Sequence, residues 1–347
     1  MTTPALQQNA AKRPVASLSL DLDNQWSYMK THGDRGWEAF PSYLDLVVPR
    51  MLEACRRLNL TMTVFIVGQD AALAKNRTAL ASIPAAGHEI GNHSFHHEPW
   101  LHLYSAAEIE REIADAEGAI QSATGVVPRG FRGPGFSVSR DVLETLQRRG
   151  YQYDASTFPT FIGPLARAYY FFNARLTAEE KAERKLLFGG LADGVRPLKP
   201  YQWRLTSGPL LEIPVTTMPL TRAPFHLSYA LYLATYSPRA ALTYFDLALR
   251  LCRATGVAPS LLLHPLDFLS GDDISELKFF PAMQMPSRDK LALADRLLAH
   301  FANAFEVLPM GQHAQRILAG GPLPMRQPDF QPVASSQRGR TEHTQAV

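Results

Sequence analysis

The feature that most constrains the fold of this chain is an alternation between short apolar runs and amphipathic helical stretches. The run Thr61–Val67 is apolar and β-branched, as in a strand that is buried on both faces. The stretch Tyr43–Leu58 instead spaces its apolar residues so that they share one helical face. Strands alternating with helices in this way predict a parallel sheet covered by helices.

The predicted elements cover most of the chain. Strands are predicted at Val15–Leu22, Thr61–Val67, His88–Asn92, Tyr151–Ala155, Leu210–Thr216, Ser260–His264 and Phe305–Leu308. A further strand is predicted to end at Arg132. Helices are predicted at Tyr43–Leu58, Ser105–Thr124, Ser139–Arg149, Ala240–Thr255 and Arg288–Ala304. Seven or eight such units, with no glycine-rich turn after the first strand, predict an α/β fold of the distorted (β/α) barrel type.

We expect a single domain over residues 15–320, flanked by two flexible tails. Residues 1–14 and 321–347 are rich in Gln, Pro, Ser and Arg and show little apolar periodicity. The regular alternation breaks between residues 158 and 209, which we interpret as an insertion.

Composition and charge exclude several classes of protein. The 347 residues are 46% hydrophobic and 19% charged, which is globular composition. The net charge of +3 comes from the ends, and a neutral body argues against nucleic-acid binding. No apolar stretch is long enough for a transmembrane helix, and the N-terminus shows no signal peptide. Cys55 and Cys252 lie among aliphatic residues, so we expect reduced core thiols in a cytoplasmic protein.

Polar residues follow the predicted strands at the ends where a barrel carries its active site. Asp21 and Asp23 are two residues apart, so on a strand they point to the same face. His93 and His97 are four apart, which would let both rings reach one ion from a single helical turn. Arg132 precedes a stiff Gly-Pro-Gly turn. Each pattern alone is equally typical of a turn or of a surface cluster.

Two further strand ends carry Asp154 and His264. Taken singly, a histidine at the end of an apolar strand is more often a core residue than a catalyst. The order Asp, His-x-x-x-His, Arg, Asp, His on consecutive strand ends nevertheless resembles the NodB-type polysaccharide deacetylases, family four of the carbohydrate esterases. The resemblance covers Val15–Thr157 and resumes at Leu210–Pro265.

The resemblance implies a hydrolase that removes N-acetyl groups from amino sugars with one divalent metal, zinc before cobalt, nickel or manganese. The metal ligands that it implies are Asp23, His93 and His97. The catalytic residues that it implies are Asp21 as general base, Arg132 holding that base, His264 as general acid and Asp154 orienting the acid. The residues expected at the oxyanion and the substrate are Gly135, Phe136, Trp26 and Trp100.

The chain departs from the family pattern at three points. Leu22 separates two aspartates that are adjacent in many members, which leaves open which of them binds the metal. Gly135 stands where many members have a tyrosine. The tryptophan usual after the fourth motif is missing, and Phe158 is a partial replacement.

Two segments bear on the substrate. Residues 151–174 contain eight aromatic residues, and residues 223–238 carry no charged side chain. Both segments are either additional core or an apolar groove for a lipid-linked sugar, with peripheral contact to the inner face of the membrane. Because the sequence shows no export signal, we expect the substrate to be a small, lipid-linked or nucleotide-linked amino sugar rather than a cell-wall polymer.

Three alternatives stay open. The first is a deformylase that acts on a lipid-linked aminosugar. The second is a cyclic-amide hydrolase of the allantoinase type, against which the set Asp23, His93 and His97 speaks. The third is a non-catalytic carbohydrate- or lipid-binding relative. The sequence predicts no oligomeric state.

Overall fold

The strands build one mostly parallel sheet. The computed structural model describes residues 13–162 and 191–330. The strands within these ranges are β1 (Val15–Leu22), β2 (Thr63–Ile66), β3 (Glu89–Asn92), β4 (Gly130–Phe131), β5 (Tyr153–Asp154), β6 (Tyr201–Leu205), β7 (Gly208–Glu212), β8 (Ser260–Leu263), β9 (Glu306–Leu308) and β10 (Met325–Arg326). The helices are α1 (Gln25–His32), α2 (Leu44–Leu58), α3 (Gly68–Ala72), α4 (Arg77–Ala85), α5 (Ala106–Thr124), α6 (Arg140–Arg148), α7 (Leu227–Ala234), α8 (Pro238–Thr255), α9 (Ser287–Ala304) and α10 (Met310–Ala319).

The strand order is β10-β6-β7-β5-β4-β3-β2-β1-β8, and β9 also pairs with β1. All pairs are parallel except the β6–β7 hairpin. The predicted α/β class is therefore confirmed. The paired order ends at β10 and at β8, so closure of the barrel is not shown by strand pairing. Beyond β7, the Thr216 N–H donates to the Ser260 carbonyl at 3.2 Å.

The register brings several strand ends side by side. Leu20 of β1 pairs with Leu263 of β8, and Asn92 of β3 pairs with Phe131 of β4. The residues that follow these pairs are Asp21, His264, His93 and Arg132. Because the strands are parallel, their carboxyl ends meet at one edge of the sheet.

Strand β1 has an apolar face and a polar face, and both are buried. Its apolar residues belong to the main core, in which both cysteines also lie. Burial raises the pKa of each thiol to about 12, so the predicted core role of Cys55 and Cys252 is confirmed. On the polar face, Ser17 contacts His313 of α10 at 3.0 Å. Helix α10, which the sequence analysis did not predict, thereby covers the polar side of the sheet.

Local sequence signals explain where helix α5 begins and ends. The Ser105 side chain accepts from the Glu108 N–H, and the Glu108 carboxylate accepts from the Ser105 N–H, which forms a capping box. Gly125 ends the helix in the left-handed conformation with φ 75°.

Two regions differ from the predicted organisation. Strand β6 lies within the stretch interpreted as an insertion, and it buries Tyr201 and Trp203 on one face. Strand β10 lies within the predicted C-terminal tail and pairs with β6 through exposed residues, so no apolar pattern marked it. None of the helices in the described ranges combines the length and apolarity that crossing a bilayer requires.

Candidate active site

Three potential metal ligands meet where β1 and β3 end. Asp23 Oδ1 lies 3.4 Å from His93 Nε2 and 2.9 Å from His97 Nε2. The three ligand atoms all lie within 4.8 Å of one another. Asp23 Oδ1 is buried and accepts no hydrogen bond within the described structure. Together, this carboxylate oxygen and the two imidazole nitrogens are a set of ligand atoms that suits zinc and similar divalent cations.

Neighbouring groups hold two of these ligands in place. His93 Nδ1 lies 2.6 Å from the Arg132 carbonyl oxygen, so Nδ1 donates its proton there and Nε2 keeps a free lone pair. The Tyr43 hydroxyl donates to the main-chain carbonyl of Asp23 at 2.6 Å. Both contacts orient a ligand before any cation binds.

The two histidines do not share a helical turn, so that part of the prediction is wrong. They lie in the loop after β3, where Ser94 and His97 adopt left-handed φ values of 60° and 53°. The Ser94 N–H donates to the Asn92 side chain at 2.9 Å, which stabilises the turn. The loop rather than a helix brings the two rings together, with centroids 5.1 Å apart.

The electrostatics of the cluster couple its carboxylate and imidazoles. Burial opposes ionisation of Asp23, but the neighbouring imidazoles of His97 and His93 outweigh burial and hold its pKa well below the ordinary value. Burial likewise opposes protonation of His93, but Asp21 and Asp23 outweigh it and raise the pKa of His93. A cation bound here would take the place of protons on the imidazoles.

Asp21 and Arg132 form a buried ion pair beside the cluster. Arg132 Nη1 lies 2.7 Å from Asp21 Oδ1 and 2.9 Å from Ser19 Oγ. Arg132 Nε donates to the Ala155 carbonyl at 3.0 Å, and the guanidinium lies 4.4 Å from the centre of the Phe65 ring. The guanidinium is therefore fixed on several sides, and it fixes the Asp21 carboxylate in turn.

His264 is oriented by residues other than the one predicted. Its Nδ1 lies 3.1 Å from Ser228 Oγ, and its backbone N–H donates to Asp267 Oδ2 at 2.9 Å. Asp154 instead accepts from the Ser156 hydroxyl at 2.6 Å. The predicted contact between Asp154 and His264 is therefore wrong, and Ser228 and Asp267 hold the ring.

The Gly-Pro-Gly turn presents bare backbone to the site. Gly135 is exposed with φ 59°, and a Cβ at this position would lie 2.9 Å from Pro99 Cβ. The next residue, Phe136, stacks on Phe158 with ring centroids 4.6 Å apart and planes 27° apart. Phe158 thus lies beside the turn, and its role as a partial replacement for the missing tryptophan stays a prediction.

The two tryptophans expected at the substrate differ in exposure. Trp26 is 1% exposed, and its Nε1 donates to Asp70 at 3.0 Å. Its ring lies 6.5 Å from that of His97, so it supports the metal loop, and the prediction that it contacts substrate is wrong. Trp100 is half-buried, and its contact with substrate stays a prediction.

The aromatic residues of segment 151–174 have different environments. Tyr151 and Tyr153 are buried in core clusters, whereas Phe161 is 46% exposed. The remaining members of the segment lie outside the described residues: Tyr169, Tyr170, Phe171 and Phe172.

The uncharged segment 223–238 contributes to the core and to the surface. Helix α7 buries Leu227, Ala230, Leu231 and Ala234 in the main core. Tyr232 and Tyr236 point outward and are 37% and 74% exposed. The core interpretation therefore holds for one face of this helix.

Sequence reasoning missed four residues that border the site. Two of them, Ser228 and Asp267, hold His264; the pattern His-Pro-x-Asp at 264–267 is a capping signal that could have indicated Asp267. The other two are His226, whose ring lies 5.5 Å from that of His264, and Tyr28. Burial and the nearby carboxylates, Asp23 first, raise the pKa of Tyr28 well above its ordinary value.

Comparisons with known proteins agree with this geometry. Residues 34–153 match the sequence model of the polysaccharide deacetylase family. A peptidoglycan deacetylase of Helicobacter pylori (strain ATCC 700392 / 26695) is 26% identical over 153 residues, which cover 42% of this chain and 50% of the relative. A chitin deacetylase of Pestalotiopsis sp. is 27% identical over 151 residues, with coverage of 43% and 48%. The chain thus spans about half the length of these curated relatives.

A solved structure extends the comparison to the whole fold. A Mycobacterium smegmatis protein, described as a polysaccharide deacetylase, aligns with a TM-score of 0.62 and 21% identity. The alignment covers 95% of this chain and 100% of that one. At this identity the alignment shows a shared fold only. The family match over residues 34–153 confirms the resemblance of this chain to the polysaccharide deacetylases.

Proposed function

We propose that this protein is a metal-dependent hydrolase that removes an N-acyl group, first of all N-acetyl, from an amino sugar. The observation that carries the proposal is the meeting of Asp23, His93 and His97 within 4.8 Å. The Asp21–Arg132 ion pair and His264 follow neighbouring strands at the same edge of the sheet. Together, these residues would provide a cation site, a general base and a general acid at the same edge of the sheet.

Asp23, His93 and His97 would hold the cation, for which we propose zinc. The free lone pair of His93 Nε2 and the orphaned Asp23 Oδ1 support this assignment. When bound, a divalent cation with open coordination positions polarises a carbonyl and makes water more acidic.

Asp21 is the proposed general base, because Arg132 at 2.7 Å holds its carboxylate in one orientation beside the cation site. The carboxylate receives the proton of the water that attacks the amide carbon. Arg132 is itself fully buried, so the pair keeps its geometry as the proton moves.

The amide oxygen becomes negatively charged as water adds. The exposed backbone of Gly135 offers its N–H as a donor to this oxygen. His264 then gives a proton to the departing amine nitrogen, since an amine anion is too basic to leave. Ser228 contacts the ring at Nδ1, and Asp267 accepts from the backbone N–H of His264, so the two residues orient the ring.

The substrate class is proposed from the relatives and from the surface. The relatives named above are a peptidoglycan deacetylase and a chitin deacetylase. We propose an N-acetylated amino sugar in a small, lipid-linked or nucleotide-linked form, in preference to a polymer. The stacked rings of Phe136 and Phe158 beside Gly135 are suited to the apolar face of a sugar ring.

The test uses a panel of N-acetylated amino sugars in free, nucleotide-linked, lipid-linked and polymeric form, each with a matched N-formyl analogue. Mass detection of the amine product and assay of released acetate or formate identify both the sugar and the acyl group. We expect acetate from at least one N-acetyl substrate. Release of formate alone would favour the deformylase, and absence of any amine product from metal-loaded protein would reject the proposal.

A further inference from the structure

Two carboxyl groups face each other in the interior beside the site. Asp154 of β5 and Glu212 of β7 are paired in register, and both residues are fully buried. As register partners on neighbouring strands, the two side chains lie on the same face of the sheet. A hydrogen bond between two carboxyl groups needs a proton on one of them, and two buried carboxylates without that proton would repel.

The surrounding donors indicate which group carries the proton. Glu212 Oε1 accepts from the Thr157 N–H at 3.1 Å and from the Thr157 hydroxyl at 2.6 Å. Glu212 Oε2 accepts from Trp203 Nε1 at 2.8 Å. With three donors already, Glu212 lacks one to satisfy all four acceptor positions of a carboxylate.

Asp154 is the complementary group. Its Oδ1 accepts from the Ser156 hydroxyl, whereas its Oδ2 is buried and accepts from no donor in residues 13–162 and 191–330. A proton on Oδ2 removes that unsatisfied acceptor and supplies the fourth donor to Glu212. Burial raises the pKa of both Asp154 and Glu212 above their ordinary values, so the pair holds a proton, and the three donors around Glu212 place that proton on Asp154.

Hydrogen bonds connect the Asp154–Glu212 pair to the loop that follows β4 and carries Arg132 and Gly135. Ser156, which donates to Asp154, accepts from the Gly133 N–H at 2.8 Å. The neighbouring carbonyl of Ala155 accepts from Arg132 Nε at 3.0 Å. The end of β5 therefore holds both the guanidinium that contacts Asp21 and the start of the turn that carries Gly135.

We propose that Asp154 is a protonated positioning residue that donates a hydrogen bond to ionised Glu212 and, through Ser156, fixes the loop carrying Arg132 and Gly135. The link to catalysis rests on the proposed function. The proton itself can be measured without turnover.

Three variants test the positioning role. Asp154→Asn keeps both contacts, because its amide donates to Glu212 and its oxygen accepts from Ser156, so kcat should stay within about threefold of wild type. Asp154→Ala loses both contacts, and kcat should fall by about tenfold or more with metal content unchanged. Glu212→Gln places an NH₂ against Trp203 Nε1 or Thr157, so it should lower kcat like the alanine variant.

A matched control separates positioning from general loss of stability. Glu89 is a half-buried carboxylate at the start of β3, bonded to Thr63, Tyr153 and Gly311. Glu89→Ala should lower the melting temperature about as much as Asp154→Ala while leaving kcat unchanged. Equal kcat in Asp154→Ala and wild type would overturn the positioning role, as would a fall with Asp154→Asn equal to that with alanine.

Infrared spectroscopy of protein with ¹³C-carboxyl aspartate locates the proton independently of activity. At neutral pH we expect a protonated-acid carbonyl band in the wild type that Asp154→Asn lacks. Absence of that band would overturn the assignment. So would an unchanged kcat in Glu212→Gln together with a lowered kcat in Asp154→Asn. If the wild type shows the band but hydrolyses no amide, the proposed function fails while the proton assignment stands.

Discussion

The guanidinium of Arg132 lies 2.7 Å from Asp21 Oδ1, and the two side chains are only 0% and 6% exposed. The pair joins the ends of β1 and β4, next to the cluster of Asp23, His93 and His97. A buried ion pair of this kind contributes little net stability, but removing one partner leaves a costly unpaired charge. Its position therefore favours a role in holding a functional carboxylate.

Replacing Asp21 by asparagine should abolish proton transfer and leave the metal in place. The amide keeps the shape of the side chain but cannot accept a proton, so we expect kcat to fall by about a hundredfold or more. Metal content by atomic absorption should equal that of wild type, and Asp45→Asn on the exposed surface of α2 is the control. Loss of the metal in Asp21→Asn would show that the two aspartate roles are exchanged.

Replacing His93 by alanine should remove both metal and turnover, because Nε2 is one of three ligand atoms. His96 lies in the same loop but bonds to Glu112 on α5, so His96→Ala is the matched control. We expect the control to retain about one metal ion per chain. Equal metal content in both variants would exclude His93 as a ligand.

Metal affinity should weaken as the pH falls. The pKa of His93 is raised by Asp21 and Asp23, so protons compete with the cation at a higher pH than at an ordinary histidine. The neutral ring is the ligand, and the affinity should therefore fall by up to about tenfold per pH unit once His93 titrates. Competition titrations with a chromophoric chelator between neutral and mildly acid pH measure this. An affinity independent of pH would contradict the assignment.

Replacing His264 by alanine should lower kcat by about a hundredfold with unchanged metal content, since the amine loses its proton donor. Ser228→Ala, which removes only the contact to Nδ1, should cost less. Substrates with a good leaving group need no acid, so His264→Ala should hydrolyse an activated ester nearly as fast as wild type. An equal loss with amide and ester would remove His264 from this role.

The sequence predicted the elements that carry a strong periodic signal, and the parallel register then placed Asp21, His93, Arg132 and His264 at one edge. Contacts across the sheet were harder to foresee. Asp154 was assigned to His264 from motif order, but its side chain faces Glu212 on the paired strand and Ser156 on its own. The register of β7 determines the contact between Asp154 and Glu212, and no local sequence pattern indicates that register.

Other errors have local physical causes. The spacing of His93 and His97 fits a helical turn, but a loop with two left-handed residues gives the same convergence. The resemblance implies that Trp26 lies at the substrate, yet its N–H donates to the buried Asp70. Burial of a polar partner cannot be read from a single sequence.

The most direct test measures metal content and amide hydrolysis on the same purified sample, before and after chelation. We expect about one divalent ion per chain, loss of hydrolysis when the ion is removed, and recovery with about one equivalent of zinc. Full hydrolysis by metal-free protein would contradict this expectation.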